Sequence, residues 1–264
     1  MLSTDWDYML NYLVPWDPPK NHSLAPQHPY IWKLSGKTGS GKTYSLIQLL
    51  MLGMIKFDHL YLFIDEIHND KKWQFYLKFL DSLSELAHIP LYTIGGKVPD
   101  PDDFEYSHNR SSKVIVFDED YIKNNNIHED VNNLVCRGRQ KGFSIIYMTR
   151  SYNSLDKLVY ANWTYLSLFT HDHGAIRSIA MNTGLSVDKI QNYFRKAKST
   201  ASVSSKQVYE SLIGRPKRDS KKHGFLFVDT RTSDFDLRFR SGFFDHVSSL
   251  LDKFSDENID EEEK

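Results

Sequence analysis

Only one cysteine, Cys136, occurs in the 264 residues, which excludes an internal disulfide and any zinc site built from several thiolates. No stretch of the length needed to cross a bilayer is free of charge, and the N-terminus lacks the basic start and apolar run of a signal peptide. A soluble intracellular protein with no membrane partner is therefore expected. Neither sign of charge dominates: 33 lysines and arginines face 34 aspartates and glutamates, a net charge of −1. That balance excludes no partner by itself, because only the local distribution of charge creates a binding field. No internal repeat is visible. Glycine is sparse at 13 residues, yet three of them, Gly36, Gly39 and Gly41, crowd into one short segment.

With 40% hydrophobic and 14% aromatic residues the chain can bury one substantial core, so one domain over 30–245 is expected. Residues 1–29 hold Trp6, Tyr8, Tyr12, Trp16 and five prolines, too aromatic for a linker and too rich in proline for a long helix. They read as an arm laid on the body or on a neighbour. Residues 246–264 read as an acidic tail, densest from Asp252 onward. In between, short apolar runs recur at Ile31 to Leu34, Leu60 to Ile64, Ile89 to Ile94, Val114 to Phe117, Ser144 to Met148 and Tyr165 to Phe169. Near-continuous runs of this kind suit parallel strands buried on both faces, which predicts an α/β fold with a mostly parallel sheet. A helix is expected over Thr43 to Met54, and Trp73, Tyr76, Leu77 and Leu80 share one face of another. Pro99 to Ser112 reads as a surface loop. Phe225 to Val228 and Leu237 to Phe239, on either side of Thr232-Ser233-Asp234, read as an antiparallel pair closing the sheet edge.

The segment Gly36-Lys37-Thr38-Gly39-Ser40-Gly41-Lys42-Thr43 fits the pattern G-x-x-x-x-G-K-[ST]. Its glycines let successive backbone N–H groups surround phosphate oxygens, and the helix that follows turns its positive end to them. In this reading Lys42 reaches the β- and γ-phosphates and the Thr43 hydroxyl is a Mg²⁺ ligand, with ATP as the nucleotide. A strand-like run before the segment and a helix-like run after it supply the required context.

A second acidic motif is needed for hydrolysis, and Lys113 to Asp120 supplies it: an apolar strand ending in Asp118-Glu119-Asp120. Asp118 is placed at the metal, to hold a Mg²⁺-bound water, and Glu119, one residue on, to orient and polarise the attacking water. Asp65-Glu66 after Leu62-Phe63-Ile64 has the same pattern and ranks second, because it directly follows the helix of the phosphate loop. Thr149, at the tip of the run Phe143 to Met148, stands where a polar group senses the γ-phosphate. Arg137, Arg139 and Arg150 are each open to three readings: a guanidinium given to a neighbour's γ-phosphate, a DNA contact, or a solvated loop. From Arg195 to Lys222 nine basic residues face two acids. Arg215, Lys217, Arg218, Lys221 and Lys222 are densest and read as a DNA-phosphate contact, against a solvated loop. His171-Asp172-His173 reads as a turn.

Ser35 to Thr43, Val114 to Glu119 and Arg137 to Arg150 together resemble the FtsK/HerA superfamily. More narrowly they are similar to the poxvirus-type genome-packaging ATPases of large DNA viruses and virophages. The likeness covers about Tyr30 to Phe169. It runs on through Ser151 to Leu158, Asn162 and the next apolar strand. Where that family usually carries a glutamine at the end of the sensor strand, this chain has Thr149-Arg150. The resemblance implies a homo-oligomeric ring, pentameric or hexameric, that threads double-stranded DNA and fills a preformed capsid. Capsid or portal-vertex proteins are then its partners, and the cytoplasmic viral factory of the host cell, or the virion, its location. A cellular or plasmid DNA pump, a kinase and a nucleotide-controlled assembly factor are the competing readings.

Overall fold

In the run Val114-Ile115-Val116-Phe117 alternate residues must face opposite sides of a strand, yet all four are fully buried. Val114 and Val116 enter the core on one side of the sheet, and Ile115 and Phe117 the core on the other. A strand buried on both faces has to be apolar throughout, which is why the sequence shows runs rather than alternation.

The computed structural model describes residues 25–104, 112–153, 162–200, 224–232, 234, 238–243 and 245–246. In chain order these form β1 (Ile31–Ser35), α1 (Lys42–Met51), β2 (His59–Phe63), α2 (Lys71–Ala87), β3 (Tyr92–Ile94), β4 (Lys113–Asp118), α3 (Glu119–Asn125) and α4 (His128–Arg137). There follow β5 (Phe143–Thr149), β6 (Tyr165–Leu168), α5 (His173–Thr183), α6 (Val187–Thr200), β7 (Leu226–Asp229), β8 (Phe239–Ser241) and β9 (Asp245–His246). Short 3-10 turns occupy Pro101–Asp103 and Gly138–Lys141.

Among the described residues one sheet of nine strands runs β3-β2-β4-β5-β1-β6-β7-β8-β9. The pairings from β3 to β6 are all parallel, and those from β6 to β9 antiparallel. This is the expected mostly parallel α/β sheet with an antiparallel C-terminal edge. Phe63, Phe117 and Tyr147 lie side by side on β2, β4 and β5, with ring centroids 5.0 and 5.6 Å apart. This stack stiffens the C-terminal ends of three adjacent strands.

Details differ from the sequence expectation where local geometry intervenes. α1 stops at Met51 rather than Met54, because Gly53 takes a left-handed φ of 62° and turns the chain. β3 starts at Tyr92 rather than Ile89, whose N–H still bonds to the Ser84 carbonyl at the end of α2. The stretch from Pro99 is not a plain surface loop. Pro101 is buried in its 3-10 turn and Phe104 packs on the core, while 105–111 lie outside the described residues.

The face of α2 predicted from periodicity, Trp73, Tyr76, Leu77 and Leu80, is buried. The helix is started by Asp70, whose carboxylate accepts the Lys72 N–H at 2.8 Å. Asp70→Ala is expected to lower stability by about 1 kcal/mol in denaturant unfolding, the usual worth of such a cap. An unchanged midpoint would mean that packing alone starts the helix.

Candidate nucleotide site

β5 lies between β1 and β4, so the parallel order places three C-terminal strand ends next to one another. The register pairs Ser35 with Thr149 and Asp118 with Met148. The phosphate-loop motif, the predicted sensor and the predicted acidic pair therefore meet at one edge of the sheet, the edge where open α/β sheets bind ligands.

The loop between β1 and α1 is shaped by its glycines. Gly39 and Gly41 hold φ of 76° and 102°, a region that side chains with a Cβ rarely adopt. Gly41 caps α1 without a side chain, and the first turn of α1 carries no acid. The positive end of the helix is thus left uncompensated toward the cleft. Gly36 is needed for another reason. Its N–H bonds to the Thr149 carbonyl at 3.0 Å, and a Cβ there would stand 2.7 Å from the Cβ of Phe169.

The cleft encloses about 300 Å³ and is lined by Thr38 through Tyr44, Lys72, Asp118, Asp120, Met148, Thr149 and Arg150. Lys42 reaches inward, its ammonium bonded to the Gly36 carbonyl and, at 3.3 Å, to that of Lys37. Burial lowers its pKa, and Asp118 opposes that shift. Burial pushes the Asp118 carboxyl up, while the Asp120 N–H that it accepts at 3.4 Å works the other way. A hard cation offered to oxygen donors would favour the ionised carboxylate, so Thr43 and Asp118 suit Mg²⁺ in chemistry and in place. The hydroxyl oxygens of Thr149 and Ser40 are buried and have no hydrogen-bond partner among the described residues.

Glu119 is in the first turn of α3, only 4% exposed, and is not among the residues lining the cleft. One carboxylate oxygen accepts the Arg150 N–H at 2.7 Å, and the other is ion-paired with Lys123 one turn on. Asp120 ion-pairs with the Arg150 guanidinium. The two acids after Asp118 thus hold the residue that follows Thr149 by its backbone and by its side chain.

Arg137 and Arg139 are not brought to this cleft. They precede β5, and the chain just after them, at Gly142, bonds to Lys113 at the start of β4, the opposite end of both strands. Arg137 is half-exposed and ion-paired with Asp102. Asp65 accepts from the Asn124 amide and Glu66 is exposed, and neither lines the cleft. Asp172 of the predicted turn caps α5, accepting the Ala175 N–H at 3.0 Å. Arg215, Lys217, Arg218, Lys221 and Lys222 lie outside the described residues, as does nearly all of the N-terminal arm and the acidic tail. Lys72 and Asp120 line the cleft without having been picked from the sequence. Asp120 was legible as the third acid of the motif, whereas Lys72 depends on where α2 begins.

Residues 20–214, well over half of the chain, match the model of one protein family, described as the poxvirus A32 protein. This chain belongs to the poxvirus A32 protein family. It is a family of viral genome-packaging ATPases. No curated protein matches the A32-family chain. Among solved structures it is similar to the genome-packaging NTPase B204 of Sulfolobus turreted icosahedral virus 2 in complex with AMP. The identity is 16% and the TM-score 0.42, over 81% of this chain and 98% of that one. The DNA-packaging ATPase B204 of Sulfolobus turreted icosahedral virus is 15% identical with a TM-score of 0.42, over 77% and 94%. The cytoplasmic domain of the type VII secretion ATPase EccC of Thermomonospora curvata is 10% identical with a TM-score of 0.31, over 49% and 19%.

Proposed function

We propose that the chain hydrolyses ATP to drive double-stranded DNA into a preformed viral capsid, working as a homo-oligomeric ring. The observation that carries this reading is the meeting of Lys42 and Thr43, Thr149, and Asp118 with Glu119 at three adjacent strand ends. Family membership supplies the packaging context.

In this reading the loop N–H groups from Gly39 to Thr43 and the Lys42 ammonium hold the β- and γ-phosphates. Mg²⁺, held by Thr43 and Asp118, would neutralise charge on the phosphate oxygens when bound. The Glu119 carboxylate, held by the Arg150 N–H and by Lys123, orients and polarises the attacking water. The Thr149 hydroxyl, without a hydrogen-bond partner among the described residues, donates to a γ-phosphate oxygen. Movement of that strand tip passes to Glu119 through the Arg150 N–H.

Arg150 acts in its own cleft. In a ring of five or six copies, Arg137 and Arg139, at the far end of β5, are the candidates to reach a neighbour's nucleotide. The basic segment with Arg215, Lys217, Arg218, Lys221 and Lys222 grips DNA phosphates, and capsid or portal-vertex proteins anchor the ring in the host's viral factory. No helix among the described residues is long and apolar enough to cross a membrane.

The test is steady-state ATP hydrolysis with and without linear double-stranded DNA, at low and moderate salt, with Glu119→Gln as the control. The rate is expected to rise severalfold with DNA, to lose that stimulation as salt increases, and to fall about a thousandfold in the control. A rate indifferent to DNA at every salt concentration would overturn the translocase reading in favour of nucleotide-controlled assembly.

A further inference from the structure

β1 reads Ile31-Trp32-Lys33-Leu34-Ser35, a lysine in the middle of a strand flanked by β5 and β6 and buried on both faces. Lys33 is 0% exposed. Burying an ammonium costs several kcal/mol unless hydrogen bonds and opposite charges compensate it. The compensation comes from the nucleotide end of the sheet. The ammonium donates to the Tyr152 carbonyl and lies 4.3 Å from the centre of the Tyr152 ring, and Asp172 and Glu119 supply the opposing charges. Burial still brings its pKa down to about 8.

Tyr152 is fixed at every polar atom. Its N–H donates to Asp172 at 3.2 Å, and its hydroxyl donates to Ser178 at 2.8 Å and accepts from the Trp163 indole at 3.1 Å. Two residues before it, the Arg150 N–H holds Glu119. The lysine therefore ties down the turn that presents this N–H, and it places a positive charge near an almost fully buried carboxylate. Core stability does not require either service, since an apolar side chain of similar length fills such a site as well or better.

We infer that Lys33 is a positioning residue for the hydrolytic step: its bond to the Tyr152 carbonyl fixes the turn whose Arg150 N–H keeps Glu119 correctly aimed. This rests on the reading of Glu119 as the group that orients the attacking water.

The experiment compares the full chain, Lys33→Met, Glu119→Gln and the double variant. It measures equilibrium binding of a fluorescent ATP analogue, kcat and KM for ATP, and thermal unfolding. Lys33→Met is expected to bind nucleotide within about twofold of wild type and to lose about tenfold or more in kcat with KM little changed, as when only a transition-state contribution is removed. In the Glu119→Gln background the same substitution is expected to cost nothing further, because both act through one carboxylate. If Lys33→Met does not fold, Lys33→Leu, which also removes the donor to Tyr152, carries the same expectation, and Lys33→Gln, which keeps a donor there, is expected to retain more of kcat than either. A folded variant with wild-type kcat, an affinity loss that matches the kcat loss, or additive losses in the double variant would overturn the inference. No hydrolysis by the wild-type chain, or full activity in Glu119→Gln, would instead overturn the role given to Glu119.

Discussion

Glu119→Gln is expected to bind ATP as the wild-type chain does and to hydrolyse it about a thousandfold more slowly, within the usual worth of a positioned base. The substitution keeps size and shape, and the amide oxygen can still accept the Arg150 N–H that the carboxylate takes at 2.7 Å. Its NH₂ then faces Lys123, whose side chain is half-exposed and free to turn its charge toward water. Binding survives because Glu119 is not among the residues lining the cleft. Turnover does not, because an amide cannot take a proton from water. Equilibrium binding alongside single-turnover hydrolysis separates the two effects. Equal loss of affinity and of rate would mean that Glu119 holds the site together rather than acting on water.

Lys42→Ala is expected to weaken ATP binding by about 100-fold, the scale on which one buried charge-assisted contact to a phosphate is lost. Lys42 is the cation at the centre of the loop, bonded to the Gly36 and Lys37 carbonyls. Complete loss is not expected, since the loop N–H groups, the positive end of α1 and the side chains of Lys72 and Arg150 remain at the cleft. Titration with ATP at constant ionic strength checks the figure. An affinity within about threefold of wild type would remove Lys42 from the phosphate contacts.

Much of this was legible in the residues. Continuous apolar runs marked the inner parallel strands because burial on both faces leaves no room for alternation, whereas the edge strand β3 is half-exposed, and the spacing of Trp73, Tyr76, Leu77 and Leu80 gave the buried face of α2. The phosphate loop was legible because few sequences besides a nucleotide cradle need glycine and lysine at those intervals. Boundaries were less so, as Gly53 and the end of α2 show, since one left-handed residue moves them without any change in pattern. The neighbours of Glu119 were not legible. That Arg150 would present its N–H to one oxygen, and that Lys33 would share the same buried field, depends on β5 lying between β1 and β4. Strand order of that kind leaves no local mark. Lys33 itself was passed over because a lysine inside an apolar run looks like a tolerated exception until its burial is known.

The close contact at Gly36 reaches beyond the nucleotide. Phe169, whose Cβ leaves no room for a side chain there, has its N–H bonded to the Ser35 carbonyl and its ring stacked on Phe225 at 4.4 Å between centroids. The rim of the phosphate loop is therefore joined, by way of Phe169, to the residue just before the antiparallel strand β7. A change at Phe225, which is not among the residues lining the cleft, would thus reach the phosphate loop only by way of Phe169.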